Sequence, residues 1–293
     1  MWTNYHCHTN FCDGKKSVAE VVQAAKEQGL LAIGLSSHAP LPFETKWAMK
    51  ATAFEKYREE IAAAKEQIPG LQVYTGLEVD FIPGKISPFT FKDKLDYTVG
   101  SVHFVDQFPD GNGWEIDNTF EVFMKGLTAI FNGNIQDAVK RYYQLTREMI
   151  SNTPPNIVGH MDKIKMHNRG DHFFKEQESW YQEELDRTLV AIKKAGCIVE
   201  VNTRGLYQNK TDTTYPSPWI LREIASKDIP VTISSDAHHP DDLTNRFPEV
   251  VAQLKEIGFK KLRILLDGRW TDVTFDHNGI IHPKGSIRDN KMA

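Results

Sequence analysis

"NYHCHTNFCDGKKS" (residues 4–17) sets His6 and His8 on either side of Cys7, at the end of the chain's first apolar run, with Asp13-Gly14 close behind. In a strand, residues i and i+2 point to one side and i+1 to the other. His6 and His8 therefore share a face, and Cys7 turns toward the layer outside. Such a strand end is either merely polar or the first piece of a metal site. The stretch alone does not decide between them; the remaining strand ends do.

Working outward, apolar runs with strand character stand at residues 2–8, 30–36, 71–79, 97–103, 157–160, 197–202, 231–235 and 262–266. Helical periodicity fills most of the intervals. "SVAEVVQAAKEQG" (17–29) opens on Ser17 with Glu20 three residues on, a capping box, and stops at Gly29. "TAFEKYREEIAAAKEQIPG" (52–70) is expected to repeat that design, and three further helices are read at 177–196, 217–230 and 241–258. Residues 119–152 exceed one crossover and predict two helices broken near "FNGN" (131–134). The tail past Asp267 predicts a strand pair turning at Asn278-Gly279. Strand alternating with helix implies a parallel sheet, and seven or eight such units imply a closed barrel. An open doubly wound sheet is the alternative. No G-x-G-x-x-G or P-loop lysine follows any strand, which removes the usual nucleotide-binding readings.

The 293 residues suit one α/β barrel domain, taken as residues 1–293 with a C-terminal extension from about residue 268. A net charge of -4 disfavours a general nucleic-acid surface. Three cysteines, Cys7, Cys12 and Cys197, are too few for a disulfide framework and read as a reducing compartment. With no leader pattern and no apolar run of membrane length, a soluble cytoplasmic protein without a membrane partner is expected.

The C-terminal ends of barrel strands carry the chemistry of such folds. Here they read His6 and His8; His38; Glu78 and Asp80; His103; His160; Asn202 and Arg204; Asp236 and His238. One strand-end histidine is usually structural. Histidine or carboxylate at the same end of six strands is not, because those ends converge on one cavity. Packed together without compensation, the groups would carry a large desolvation cost. Divalent cations relieve it, and the imidazole–carboxylate mixture suits zinc, iron or manganese. About nine ligands imply two or three ions. Asp13 reads equally as a turn residue or a ligand, and Cys12 as a loop residue near the site.

As a set, "HCH" with Asp13, His38, Glu78, His103, His160 and "DAH" (236–238) resembles the polymerase and histidinol phosphatase (PHP) superfamily, across about four-fifths of the chain. The resemblance implies a distorted (β/α)7 barrel holding two or three metals. It implies His6, His8, Glu78 and Asp236 around one ion. Glu78, His103 and His160 would surround a second, and Asp13, His38 and His238 a third. Within the superfamily, "GLEVDFIPG" (76–84), "DYTVGSVHFVD" (96–106) and "GWEIDN" (113–118) are similar to histidinol-phosphatases. The implied activity is hydrolysis of a small phosphomonoester, L-histidinol phosphate, within histidine biosynthesis. Water activated by the ions would attack phosphorus in line with the leaving alkoxide. Arg204 is expected to clamp the phosphate, with Lys163, Lys165 and Arg169 competing for a second contact. Asp13, or a water, would protonate the leaving oxygen. The competing functions are a nuclease or general phosphoesterase on the same fold, and a non-catalytic metal-binding scaffold. Asp80 is read as a group supporting the ligands. His167, His172, His239, His277 and His282 are read as surface or loop residues, and Phe43, Trp47 and Trp114 as packing.

Overall fold

In the computed structural model, which describes residues 1–281, the chain runs β1 (Trp2–Asn4), α1 (Val18–Glu27), β2 (Leu30–Leu35), α2 (Phe54–Gln67), β3 (Gln72–Asp80) and β4 (Tyr97–Ser101). A hairpin of β5 (Phe104–Gln107) and β6 (Gly113–Glu115) follows, then α3 (Phe120–Phe131), α4 (Ile135–Asn152) and β7 (Ile157–Val158). The remainder is α5 (Ser179–Ala195), β8 (Ile198–Asn202), α6 (Arg204–Tyr207), α7 (Pro218–Ser226), β9 (Val231–Ser234), α8 (Phe247–Ile257), β10 (Lys261–Leu266), β11 (Arg269–Asp276) and β12 (Gly279–Ile280). Seven parallel strands pair in the order β1-β2-β3-β4-β7-β8-β9. The two edges meet at a single parallel bridge, Cys7 to Ala237, where the His8 amide donates to the Ala237 carbonyl at 2.8 Å. One bridge in place of a ladder makes the barrel nearly closed and distorted.

The first strand is shorter than its apolar run. Past Asn4, the His6 amide turns to the Asn4 side-chain oxygen (3.0 Å) instead of a neighbouring strand. Cys7 then packs outward among Val18, Val22 and Ala237, as the alternation requires. The run at 262–266 does form a strand, but not a barrel strand. It is β10 of an antiparallel β10-β11-β12 sheet. The reason is local: Asp267 (φ 49°) and Gly268 (φ 72°) both take left-handed backbone, the two-residue turn that reverses a chain into a hairpin. The Tyr5 hydroxyl holds this sheet to β1, donating to Leu265 O and accepting from Leu265 N. β11 and β12 turn just before Gly279, close to the expected place. Residues 282–293, with His282 and the end of the expected extension, lie outside the described residues.

The Ser17–Glu20 capping box is present at α1. It does not recur at α2, because Thr52 falls inside a 3-10 turn (Ala51–Ala53) and Ala53 caps the helix without a side-chain bond. α3 and α4 break where expected, at left-handed Asn132, and Asn134 caps the second helix. Among the described residues, no helix is long and apolar enough to cross a membrane.

Candidate active site

Every strand-end ligand candidate arrives at one end of the barrel. Glu78, on β3, is the centre. His6 Nε2 stands 3.2 Å from its Oε2, His38 Nδ1 3.0 Å from the same oxygen, and His160 Nε2 2.9 Å from Oε1. His103 Nε2 approaches Oε1 at 3.5 Å. Asp236, held at φ 52° just past β9, lies 3.1 Å from His8 Nε2 and 3.8 Å from His6 Nε2. At the outer edge, His238 Nε2 is 3.0 Å from Asp13 Oδ2. Three of the groups whose ligand atoms converge are His6–His8–Glu78, Glu78–His103–His160 and His8–Asp13–His38–His238. They overlap the three ion sites that the resemblance implies but do not map one to one: His8 joins the third group, and Asp236 converges with His6 and His160.

Two tests show that these residues fit divalent metals. First, His6 Nε2, His8 Nε2, His38 Nδ1 and Asp13 Oδ1 are buried with no hydrogen-bond partner. Buried polar atoms left unpaired are rare, and here they point at one another. Second, imidazoles that bind metal through one nitrogen characteristically give the other N–H to a carboxylate. His6 Nδ1 sits 2.6 Å from Glu200 Oε1, and His103 Nδ1 2.9 Å from Asp80 Oδ1. Burial alone would raise the Glu78 carboxyl, but the imidazoles of His6, His38 and His103 hold it well below the usual carboxylate range. For Asp13, burial likewise works upward and is overcome by His238, His38 and His8, so its carboxyl is also depressed.

Above this floor lies a cavity of about 220 Å³. Arg204, Lys163 and Lys210 bring positive charge to it, and Glu115 and Asp117 bring negative charge. Arg204 is fixed by donating to the Asp236 carbonyl and to His238 Nδ1. Lys163 Nζ is 3.5 Å from Asp117 Oδ2. Trp47 stands edge-on to His38, 4.6 Å between ring centroids, and donates from Nε1 to Glu115 Oε1.

Two of the four phosphate-contact candidates do not face this cavity. Lys165 is buried in a separate network, 2.7 Å from Asp162 Oδ2 and bonded to Thr214 O and Ser217 Oγ. The turn that carries it (Lys163–His167) is a 3-10 helix, where residues three apart stack, so Lys165 falls over Asp162. Arg169 is exposed and pairs with Asp212 at 2.6 Å. Only Lys163 and Arg204 of the four line the cavity.

Asp80 supports His103 as expected, and Cys12 Sγ lies 3.5 Å from His8 Nδ1. Trp114 is wholly buried against Phe123, and Phe43 packs on Phe104. His167 packs on Phe123, His172 on Phe173, and His239 is exposed. The sequence reading missed Glu115, Asp117, Lys210 and Glu200. Glu200 carried a signal: a carboxylate inside "IVEVN", an otherwise apolar strand with every residue buried. Glu115 and Asp117 lay within the quoted "GWEIDN" but arrive on a hairpin that periodicity did not reveal. Lys210 carried no signal.

The PHP domain family model matches residues 4–204. The chain belongs to the PHP family. Among PHP proteins it is 29% identical to the histidinol-phosphatase of Bacillus subtilis over 262 residues, covering 81% of this chain and 94% of that protein. It is 28% identical over 263 residues to a Deinococcus radiodurans protein named "Probable histidinol-phosphatase", covering 86% and 92%. Its backbone matches the Lactococcus lactis histidinol phosphate phosphatase solved with zinc, L-histidinol and phosphate. The TM-score is 0.69 at 21% identity, covering 96% of this chain and 99% of that one. That likeness shows the fold, a PHP-type (β/α) barrel.

Proposed function

We propose that this chain is a metal-dependent phosphatase that hydrolyses L-histidinol phosphate to L-histidinol and phosphate, with two or three divalent ions drawn from zinc, manganese and iron. The observation that carries the reading is the pairing of a histidine–carboxylate floor with a small cavity whose walls bear both signs of charge. Histidinol phosphate is small, with an anionic phosphate at one end, an ammonium on the carbon next to the ester carbon, and an imidazole at the other end. The two curated PHP relatives compared above carry the histidinol-phosphatase name. His6, His8, Glu78 and Asp236 would hold one ion, Glu78, His103 and His160 a second, and Asp13, His38 and His238 a third. Bound there, the ions supply charge neutralisation at the phosphoryl oxygens and a water deprotonated near neutral pH.

The chain's own residues do the rest. Arg204 presents a planar fork to the phosphoryl oxygens and is braced by Asp236 and His238. Lys163 supplies the second cation. Asp117 and Glu115 take the substrate's cationic end. Asp13, whose carboxyl burial would raise but His238, His38 and His8 depress, would serve as a ligand and hydrogen-bond acceptor. The leaving alkoxide would take its proton from Asp13 or from a water. Three cysteines free of disulfides fit a cytoplasmic reaction.

The test is phosphate release from histidinol phosphate beside p-nitrophenyl phosphate, other monoesters and a short oligonucleotide, with bound metal quantified in the same preparation. Strong preference for histidinol phosphate with two or three ions per chain is expected. Full metal with no such preference would move the activity to another phosphoester.

A further inference from the structure

Glu200 is a fully buried carboxylate that the proposed chemistry leaves without a task. It sits on β8, fully enclosed, with its carboxylate inside the barrel. Every contact it makes is to a donor. His6 Nδ1 lies 2.6 Å from Oε1. The His160 backbone amide donates to Oε2 at 2.8 Å, and Asn202 Nδ2 to the same oxygen at 3.1 Å. Two of the partners lie 194 and 40 residues before it, so those contacts exist only in the folded barrel; the third, Asn202, is local.

We infer that Glu200 is a positioning residue that sets the proton of His6 on Nδ1 and, through its other oxygen, fixes the backbone that aims His160. The inference rests on the reading of His6 and His160 as metal ligands. An imidazole has two ring nitrogens, and the partner of one decides what the other offers. With Nδ1–H committed to Glu200, Nε2 presents its lone pair toward Glu78 and Asp236, where it is buried without a hydrogen-bond partner. The second oxygen acts on another element. His160 follows the two-residue strand β7 at φ 20°, a backbone value seldom adopted by residues other than glycine. The hydrogen bond its backbone N–H donates to Glu200 Oε2 holds that turn, and the turn brings Nε2 within 2.9 Å of Glu78. One carboxylate thus serves a ligand in each of two clusters, His6–His8–Glu78 and Glu78–His103–His160.

The arrangement makes an unusual demand that separates positioning from simple packing. Glutamine has the shape of glutamate but offers one acceptor and one donor. Placed with its oxygen toward His160 and Asn202, its NH2 faces His6 Nδ1 and drives the imidazole proton onto Nε2, into the metal site. Placed the other way, NH2 opposes the His160 amide and the Asn202 NH2. Asn202 cannot rotate to help without losing its bond from the Arg204 amide at 2.9 Å. Alanine adds no opposing donor and leaves a polar space that waters can enter, each accepting up to two of these hydrogen bonds.

The experiment compares wild type, Glu200→Gln and Glu200→Ala by competition for zinc and manganese against a chelator. Thermal unfolding of the metal-stripped proteins is measured alongside. Glu200→Gln should lose about 10- to 100-fold in affinity for at least one ion, the range typical for groups that orient metal-bound histidines. Glu200→Ala should lose less affinity than Glu200→Gln while being the less thermally stable of the two. If Glu200 only fills space, the isosteric glutamine would be the milder change in both measurements, and that order overturns the inference. Equal metal affinity in all three proteins overturns it as well. A wild type that binds no ion overturns the proposed function and this inference together.

Discussion

Replacing Asp117 by asparagine separates recognition of the substrate's cation from the hydrolytic machinery. Asp117 is about 25% exposed, and its Oδ2 lies 3.5 Å from Lys163 Nζ and 3.9 Å from His103 Nε2. Burial would raise its carboxyl, but His103 and Lys163 hold it down to about 2, so it is an anion at every pH where the enzyme would be assayed. In the free protein Lys163 occupies it. A substrate that carries both a phosphate and an ammonium exchanges that pair for two better ones: phosphate takes Lys163 and the ammonium takes Asp117. Two unit charges about 4 Å apart interact by about 4 kcal/mol at an effective dielectric of 20. Solvent access and loss of the Lys163 contact reduce this by roughly half. The remaining ~2 kcal/mol corresponds to a fall of about 30-fold in kcat/KM for histidinol phosphate. For p-nitrophenyl phosphate, which has no cation, the same variant should be unchanged or faster, because Lys163 is released. Steady-state kinetics on both substrates, with metal content checked, read the ratio. An equal loss on the two substrates would refute the argument and make Asp117 a part of the metal site. A change under about threefold on both would remove it from recognition altogether.

Arg204→Ala should lower kcat/KM by about 10- to 100-fold, the worth of a charge-assisted hydrogen bond of about 1.5–3 kcal/mol, while metal analysis finds the ions retained. Lys163→Ala and Lys165→Ala should differ in kind. The first should weaken turnover at unchanged stability. The second strands the buried Asp162 carboxylate and should lower stability by about 3–5 kcal/mol in denaturant unfolding. Chelator treatment should abolish phosphate release, lower the unfolding temperature, and be reversed by added metal. In the stripped protein, burial lowers the His103 pKa, but Asp80, Asp117 and Glu78 outweigh it and push it up to about 10. A histidine raised on folding adds stability below its ordinary value and loses it as pH climbs through the raised one. The stripped protein should therefore lose stability between about pH 6.5 and 10, and thermal unfolding across that range should show a smaller slope for His103→Asn.

The strand-end histidines and carboxylates were legible because two periodicities exposed them. Alternation set His6 and His8 on one face against Cys7, and the strand–helix rhythm put every ligand candidate at the same end of a parallel barrel. The eighth apolar run misled because apolarity marks a strand without stating its partner; the left-handed pair Asp267-Gly268 turned it into a separate sheet. The loops were opaque for a related reason. Whether Lys163, Lys165 or Arg169 met the cavity depended on a 3-10 turn and on Asp162 and Asp212 capturing two of them.

By itself, then, the sequence determined the candidate ligand types and their spacing along a βα repeat, since both are local properties of the chain. The tertiary structure alone decided which cations line the cavity, that Glu115 and Asp117 line it with them, and that Glu200 reaches His6 across 194 residues. Those outcomes depend on side-chain direction in irregular backbone and on charges meeting across the barrel, and neither leaves a periodic trace in the order of residues.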